Sequence, residues 1–92
     1  MKNNLFLKEK TAEILMTIYY LKLKPQEQST ATNIAFFAGI TYAFVHQRIK
    51  VFEEVGLVNR IPIDKKRVQI KLTKKGELIA ESLIKLEKIS RK

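Results

Sequence analysis

An α+β fold, mostly helical, with three helices, a two-stranded hairpin and a C-terminal helix, is what this chain predicts, and three stretches carry the prediction. Ser29-Thr30-Ala31-Thr32-Asn33-Ile34-Ala35 sets capping residues directly ahead of an apolar helical run. Gly39-Ile40-Thr41 breaks that helix and restarts another, since glycine suits a left-handed turn and threonine a helix start. Leu57 to Leu72 then reads as two short strands around Asp64-Lys65-Lys66-Arg67. Helix, turn, helix and basic hairpin, in this order, make a winged helix-turn-helix.

In the first helix, Thr11 is the expected N-cap, and Glu13 lies in the first turn, where the helix dipole favours a carboxylate. Ala12, Leu15, Ile18 and Tyr19, then Leu21 or Leu23, recur at helical spacing. Pro25 ends this helix by Lys24 and opens a polar connection to Gln28. The second helix runs from about Thr30 to Ala38, capped by Ser29 or Thr30, with Ile34, Ala35, Phe37 and Ala38 inward. Thr41 caps the third helix. Its packed side is Phe44, Val45, Ile49, Phe52 and Val55, which leaves Tyr42, Ala43, His46, Gln47 and Lys50 outward.

Gly56 ends the third helix. Arg67 to Leu72 alternates polar and apolar residues strictly, the pattern of a half-buried strand with Arg67, Gln69 and Lys71 outward. Pro62 removes one ladder hydrogen bond, so the strand before it is short or lies at an edge. Thr73 caps a last helix from Lys74 to about Ser90.

Ninety-two residues make one domain near the small end of what buries its own core, so association is a natural source of further burial. We divide it into an N-terminal extension (1–10), a winged helix-turn-helix DNA-binding domain (11–76) and a C-terminal dimerisation helix (77–92). In the extension, Leu5, Phe6 and Leu7 can dock onto a partner. In the last helix, Ile79, Leu83, Leu86 and Ile89 form a stripe too apolar for a lone helix in water. The expected partner is helix one of the same chain, the same helix of a second chain, or both, giving a homodimer.

The net charge of +9 favours a polyanion partner. Its distribution is sharper still. Arg60, Lys65, Lys66, Arg67, Lys71, Lys74 and Lys75 face only one acid, Asp64, between Asn59 and Lys75. Double-stranded DNA is the partner this implies. Thr30 and Thr32 suit phosphate contact at a helix N-terminus. Thr41, Tyr42, His46, Gln47 and Lys50 stand where a recognition helix meets base edges, with Gln able to pair with adenine and Lys with guanine or phosphate. Lys65, Lys66 and Arg67 suit a minor groove or the backbone.

The same sequence excludes much. There is no cysteine, hence no disulfide or thiolate site, and the lone His46 has no partner for a metal or catalytic centre. No paired carboxylates, activated nucleophile or phosphate-binding glycine loop marks an enzyme, and no cofactor is expected. No apolar run reaches the roughly 18 residues of a membrane span, and Met1 to Lys10 carries no signal-peptide core. The expected location is the cytoplasm, with the nucleoid when bound to DNA. A non-specific architectural DNA binder and a winged-helix protein-interaction adaptor are the competing readings.

With these residues in view, the chain resembles small winged-helix transcriptional regulators of the MarR-like type. The resemblance rests on Ile34-Ala35, Gly39-Ile40-Thr41, the apolar Val45, Ile49 and Phe52, and Gly56-Leu57-Val58-Asn59-Arg60. It continues through the Asp64 to Arg67 turn into Leu72-Thr73-Lys74-Lys75-Gly76, similar to the family's Leu-Thr-x-x-Gly exit from the wing. It spans Thr30 to Gly76, half of the chain. The resemblance implies a dimer joined through terminal helices that binds operator DNA as repressor or activator. Two departures stand out: a single C-terminal helix, which argues against a small-molecule effector pocket, and an abbreviated wing. Small winged-helix regulators of archaea and their viruses share this compactness.

Overall fold

The structure, a computed structural model, describes residues 10–24 and 26–90. The order is α1 (Thr11–Lys22), α2 (Ala31–Ala38), α3 (Tyr42–Glu54), β1 (Val58–Pro62), β2 (Val68–Leu72) and α4 (Lys74–Ser90). The two strands are antiparallel, with Val58 opposite Leu72 and Pro62 opposite Val68. Pro62 thus closes β1, where a missing N–H costs the ladder least. The Ile70 N–H donates to the Ser29 carbonyl at 2.8 Å, so the segment entering α2 lies along the free side of β2.

Local chemistry explains most boundaries. Thr30 caps α2 by accepting the Asn33 N–H at 3.2 Å, and Thr41 caps α3 by accepting the Phe44 N–H at 3.3 Å. Gly39 sits at φ +69°, and the Ile40 N–H reaches back to the Ala35 carbonyl, which satisfies an orphan carbonyl at the end of α2. The start of α1 departs from expectation. Lys10, not Thr11, occupies the N-cap position, at φ +73° and without a side-chain cap bond. Thr11 lies inside the helix with its side chain fully buried, which takes its hydroxyl away from the first-turn amides. Pro25, expected to end α1, and residues 1–9 with Leu5, Phe6 and Leu7 lie outside the described residues.

One core joins all six elements. Ile14, Leu15, Ile18 and Leu21 of α1 meet Ile34 and Ala35 of α2 and Val45, Ile49 and Phe52 of α3. Leu57, Val58, Ile70 and Ala80 close it from the hairpin and α4. Three residues expected inward are not; one is Val68 of β2, 36% exposed at the outer end of the hairpin, where Gln69, expected outward, is half-buried. Phe37 is 49% exposed and Val55 45% exposed. Phe37 stands at the rim of the α1–α2 contact beside Tyr20, and Val55 falls at the C-cap, where the chain is already turning away through Gly56 at φ +78°. On α4, Ile79 and Leu83 pack against the core of their own chain, whereas Leu86 and Ile89 are 60% and 69% exposed. No helix among the described residues is long and apolar enough to cross a membrane.

The start of α4 is tied to the end of α3. The Thr73 N–H donates to the Leu57 carbonyl at 2.9 Å, and its hydroxyl donates to the Gly56 carbonyl at 2.7 Å. The same hydroxyl oxygen accepts the Gly76 N–H at 3.0 Å, capping α4 as expected. Gly76 is buried against this junction, and a Cβ there would collide with the Leu57 carbonyl oxygen. Gly39 is different: a Cβ would meet nothing, and the only cost is the left-handed backbone.

Gly76→Ala is therefore expected to cost about 3 kcal/mol, the upper end of overpacking. Gly39→Ala is expected to cost about 1–2 kcal/mol. Urea unfolding of the two variants checks the order; equal losses would contradict the close approach at Gly76.

Candidate nucleic-acid interface

Helix α2, helix α3 and the wing enclose an open cleft of about 430 Å³. Thr30, Thr32, Tyr42, His46, Lys66 and Arg67, all singled out from the sequence, line it. Gln47, Lys50 and Lys65 are exposed without lining the cleft, and Thr41 lies on a separate recess beside Gly39 and Phe44.

The backbone puts these side chains where they can act. The hydroxyls of Thr30 and Thr41 accept backbone N–H groups as caps, which leaves each O–H free to donate to an anion. Along α3, Tyr42 and His46 are one turn apart, and their rings stack with centroids 5.7 Å apart and planes at 15°. This pairing makes His46 half-buried rather than freely outward. Gln47 and Lys50 are three residues apart and both exposed, next to each other on the outer face of α3. Arg48 lies over the Phe44 ring with 5.0 Å to its centroid.

The wing tip is organised by one carboxylate. Asp64 Oδ1 accepts the backbone N–H groups of Lys66 and Arg67, each at 2.9 Å. Asp64 Oδ2 accepts Arg67 Nε at 3.0 Å and Nη2 at 2.8 Å. Arg67 Nη1 donates to Gln28 Oε1 at 3.0 Å. Arg67, expected as a free outward cation, thus spends three of its donors inside the protein. Lys65 and Lys66 remain exposed at the tip and, among the described residues, enter no ion pair. The Arg67 guanidinium, then the Lys66 and Arg67 N–H groups, hold the Asp64 carboxyl below the usual 3.8.

Sequence reasoning missed Gln28, Asn33 and Arg60, which also line the cleft. Gln28 looked like part of a plain polar connection. Asn33 follows an obvious cap, and its Nδ2 donates to the Gln28 carbonyl at 2.7 Å. Arg60 was counted only as charge, yet its Nε lies 3.0 Å from Glu53 Oε1 on α3. None of these pairings leaves a local pattern. Among the described residues there is no group of three or more acidic, histidine or cysteine side chains able to hold a metal ion.

Comparison with known proteins agrees with this architecture. The chain is similar to the Archaeoglobus fulgidus protein AF1382, at 33% identity and a TM-score of 0.84, covering 100% of this chain and 99% of that one. It is similar to MepR, a transcription regulator of the Staphylococcus aureus multidrug efflux pump MepA. Against MepR in a complex with DNA, identity is 25% and the TM-score 0.71, over 86% of this chain and 58% of that one. ZitR of Lactococcus lactis shares the fold at 24% identity and a TM-score of 0.76, over 98% of this chain and 59% of that one. This chain thus spans less than two thirds of the two bacterial proteins. No protein-family model matches the chain, and no curated protein sequence does either.

Because the folded protein holds Asp64 ionised, its contribution to stability is full above the ordinary value of 3.8 and is lost as pH falls through the lowered value. Following the Asp64 carboxyl carbon by NMR across an acid titration is expected to give a midpoint below 3.8. A midpoint at or above it would show that the Arg67 and backbone contacts are not formed in solution.

Proposed function

This chain belongs to the MarR-like winged-helix family, and on that premise we propose that it is a sequence-specific double-stranded DNA-binding transcriptional regulator acting as a homodimer. The observation that carries the reading is the cleft where the Thr30 cap, Tyr42 and His46 of α3 and the wing residues Lys66 and Arg67 converge. The DNA complex of MepR supports it.

In this reading residues 11–76 are the DNA-binding unit. The N-terminal half of α3 enters the major groove and presents Thr41, Tyr42, His46, Gln47 and Lys50 to base edges and flanking phosphates. Gln47 pairs with adenine through its amide, and Lys50 reaches guanine or phosphate. At the start of α2, Thr30 and Thr32 hold a phosphate, helped by first-turn N–H groups and the positive end of the helix dipole. The wing lies on the backbone or in the minor groove, with Lys65 and Lys66 at its tip. None of these steps needs a cofactor, and the chemistry is binding alone.

Residues 77–92 serve dimerisation. Ile79 and Leu83 are shared with the core of their own chain, so Leu86 and Ile89 are the stripe residues most available to a second copy. A two-fold dimer would set the two recognition helices roughly 34 Å apart, one turn of DNA, and so favour a near-palindromic site.

Selection from a random duplex pool is expected to enrich a near-palindrome, and Gln47→Ala is expected to lose about 1–3 kcal/mol at one position of each half-site. Salt-sensitive binding without enrichment would mark an architectural binder, and no binding at low salt would refute the DNA reading. Sedimentation equilibrium is expected to give twice the 10.7 kDa chain mass. Leu86→Glu combined with Ile89→Glu is expected to return the mass to one chain with helix content kept; a monomeric parent protein would refute the dimer.

A further inference from the structure

The wing tip and the entry to α2 are joined by one continuous set of hydrogen bonds. It runs from Asp64 through the Arg67 guanidinium to the Gln28 side chain, across 39 residues of sequence at the last step. It continues from the Gln28 carbonyl to Asn33 Nδ2, and from the Asn33 N–H to the Thr30 hydroxyl oxygen. The network therefore links the wing tip to the first turn of α2 along one wall of the cleft. The Asp64 carboxylate accepts four bonds here, which fills its usual capacity.

We propose that Asp64, Arg67 and Gln28 form a clamp that sets the wing at a fixed distance from α2, and that Arg67 positions Lys65 and Lys66 instead of binding DNA itself. The consequence for affinity rests on the DNA-binding reading above; the clamp as a structural device does not. Three features support it. The Arg67 fork, the planar arrangement that would otherwise grip a phosphate, already grips a carboxylate. Its charge is matched by Asp64, so it adds little to the field that steers a polyanion. And Asp64 bonds the backbone N–H groups of Lys66 and Arg67, shaping the turn from which Lys65 and Lys66 project.

An exposed ion pair of this kind adds little to global stability. Its effect belongs to geometry. Phosphate contacts fix a protein's register on the duplex, and here Lys66 of the wing and the α2 cap Thr30 line one cleft, with Lys65 beside it at the exposed tip. A wing free to swing would have to be ordered on binding, at an entropic cost that the clamp removes beforehand.

Two measurements on the full chain test this. In the free protein, the heteronuclear NOE of the Arg67 Nε–H is expected to match the β2 backbone; the value of a freely moving side chain would overturn the clamp whatever the DNA result. On a selected duplex across a salt series, Arg67→Gln, Arg67→Lys and the charge-neutral Gln28→Ala are each expected to weaken binding by about two- to fivefold. The slope of log K against log salt should stay at the parent value for Arg67→Gln, while Lys66→Gln lowers it by about 0.9. A comparable slope loss for Arg67→Gln, full rescue by Arg67→Lys, or unchanged affinity for Gln28→Ala would overturn the positioning role. If the parent protein binds no duplex, the DNA reading and the positioning role fall together, and the NOE still decides the clamp.

Discussion

The junction between the end of α3 and the start of α4 is the constraint on which the rest of the chain depends. Thr73 bonds the carbonyls of both Gly56 and Leu57, and Gly76 lets the first turn of α4 lie directly on the Leu57 backbone. The two ends of the wing are thereby held together, which sets the register that pairs Val58 with Leu72. A lone two-stranded hairpin is marginal in water. This one stands because its base is pinned and because Leu57, Val58 and Ile70 are drawn into the helical core. From the same junction α4 departs across α1, where Lys22 meets Glu77 at 2.6 Å and Tyr19 meets Glu81 at 3.0 Å.

Burial and function divide the helices by face. On α3, Val45, Ile49 and Phe52 are spent on the core, so the opposite face is free to carry Gln47 and Lys50. On α2, Ile34 and Ala35 anchor eight residues, and the cap at Thr30 is turned toward the cleft. Each capping threonine hydroxyl at Thr30 and Thr41 is used on one side only. The oxygen terminates a helix while the proton stays available. Terminating α2 with a short polar side chain leaves the helix end open to an anion, where a bulky residue would cover it.

Charge in the wing is less uniform than its composition suggests. Arg60 is paired with Glu53, Arg67 with Asp64, and the Lys75 ammonium donates to the Val55 carbonyl at 3.2 Å. The cations that project from the tip are Lys65 and Lys66, while the arginines hold the wing in shape. This division suits the two side chains. A guanidinium offers a rigid fork for several fixed acceptors, whereas a lysine ammonium is a mobile point charge.

By itself, the sequence determined the order of the elements, the caps at Thr41 and Thr73, a choice of Ser29 or Thr30 at the start of α2, the breaks at Gly39 and Gly56, and the inward placing of Ile70. Each depends on residues within a few positions of one another, through helical or strand periodicity and the geometry of single turns. It also indicated the polyanion partner, because a summed charge needs no coordinates. Only the tertiary structure decided what depends on remote neighbours. Thr11 enters the core and leaves the cap to Lys10; Phe37 and Val55 remain at the surface; Ile79 and Leu83 join their own core while Leu86 and Ile89 do not. The pairing of Arg67 with Gln28 belongs to the same class. An arginine in a basic turn reads as a free cation until the fold brings an acceptor from 39 residues away, and local patterning holds no record of that approach.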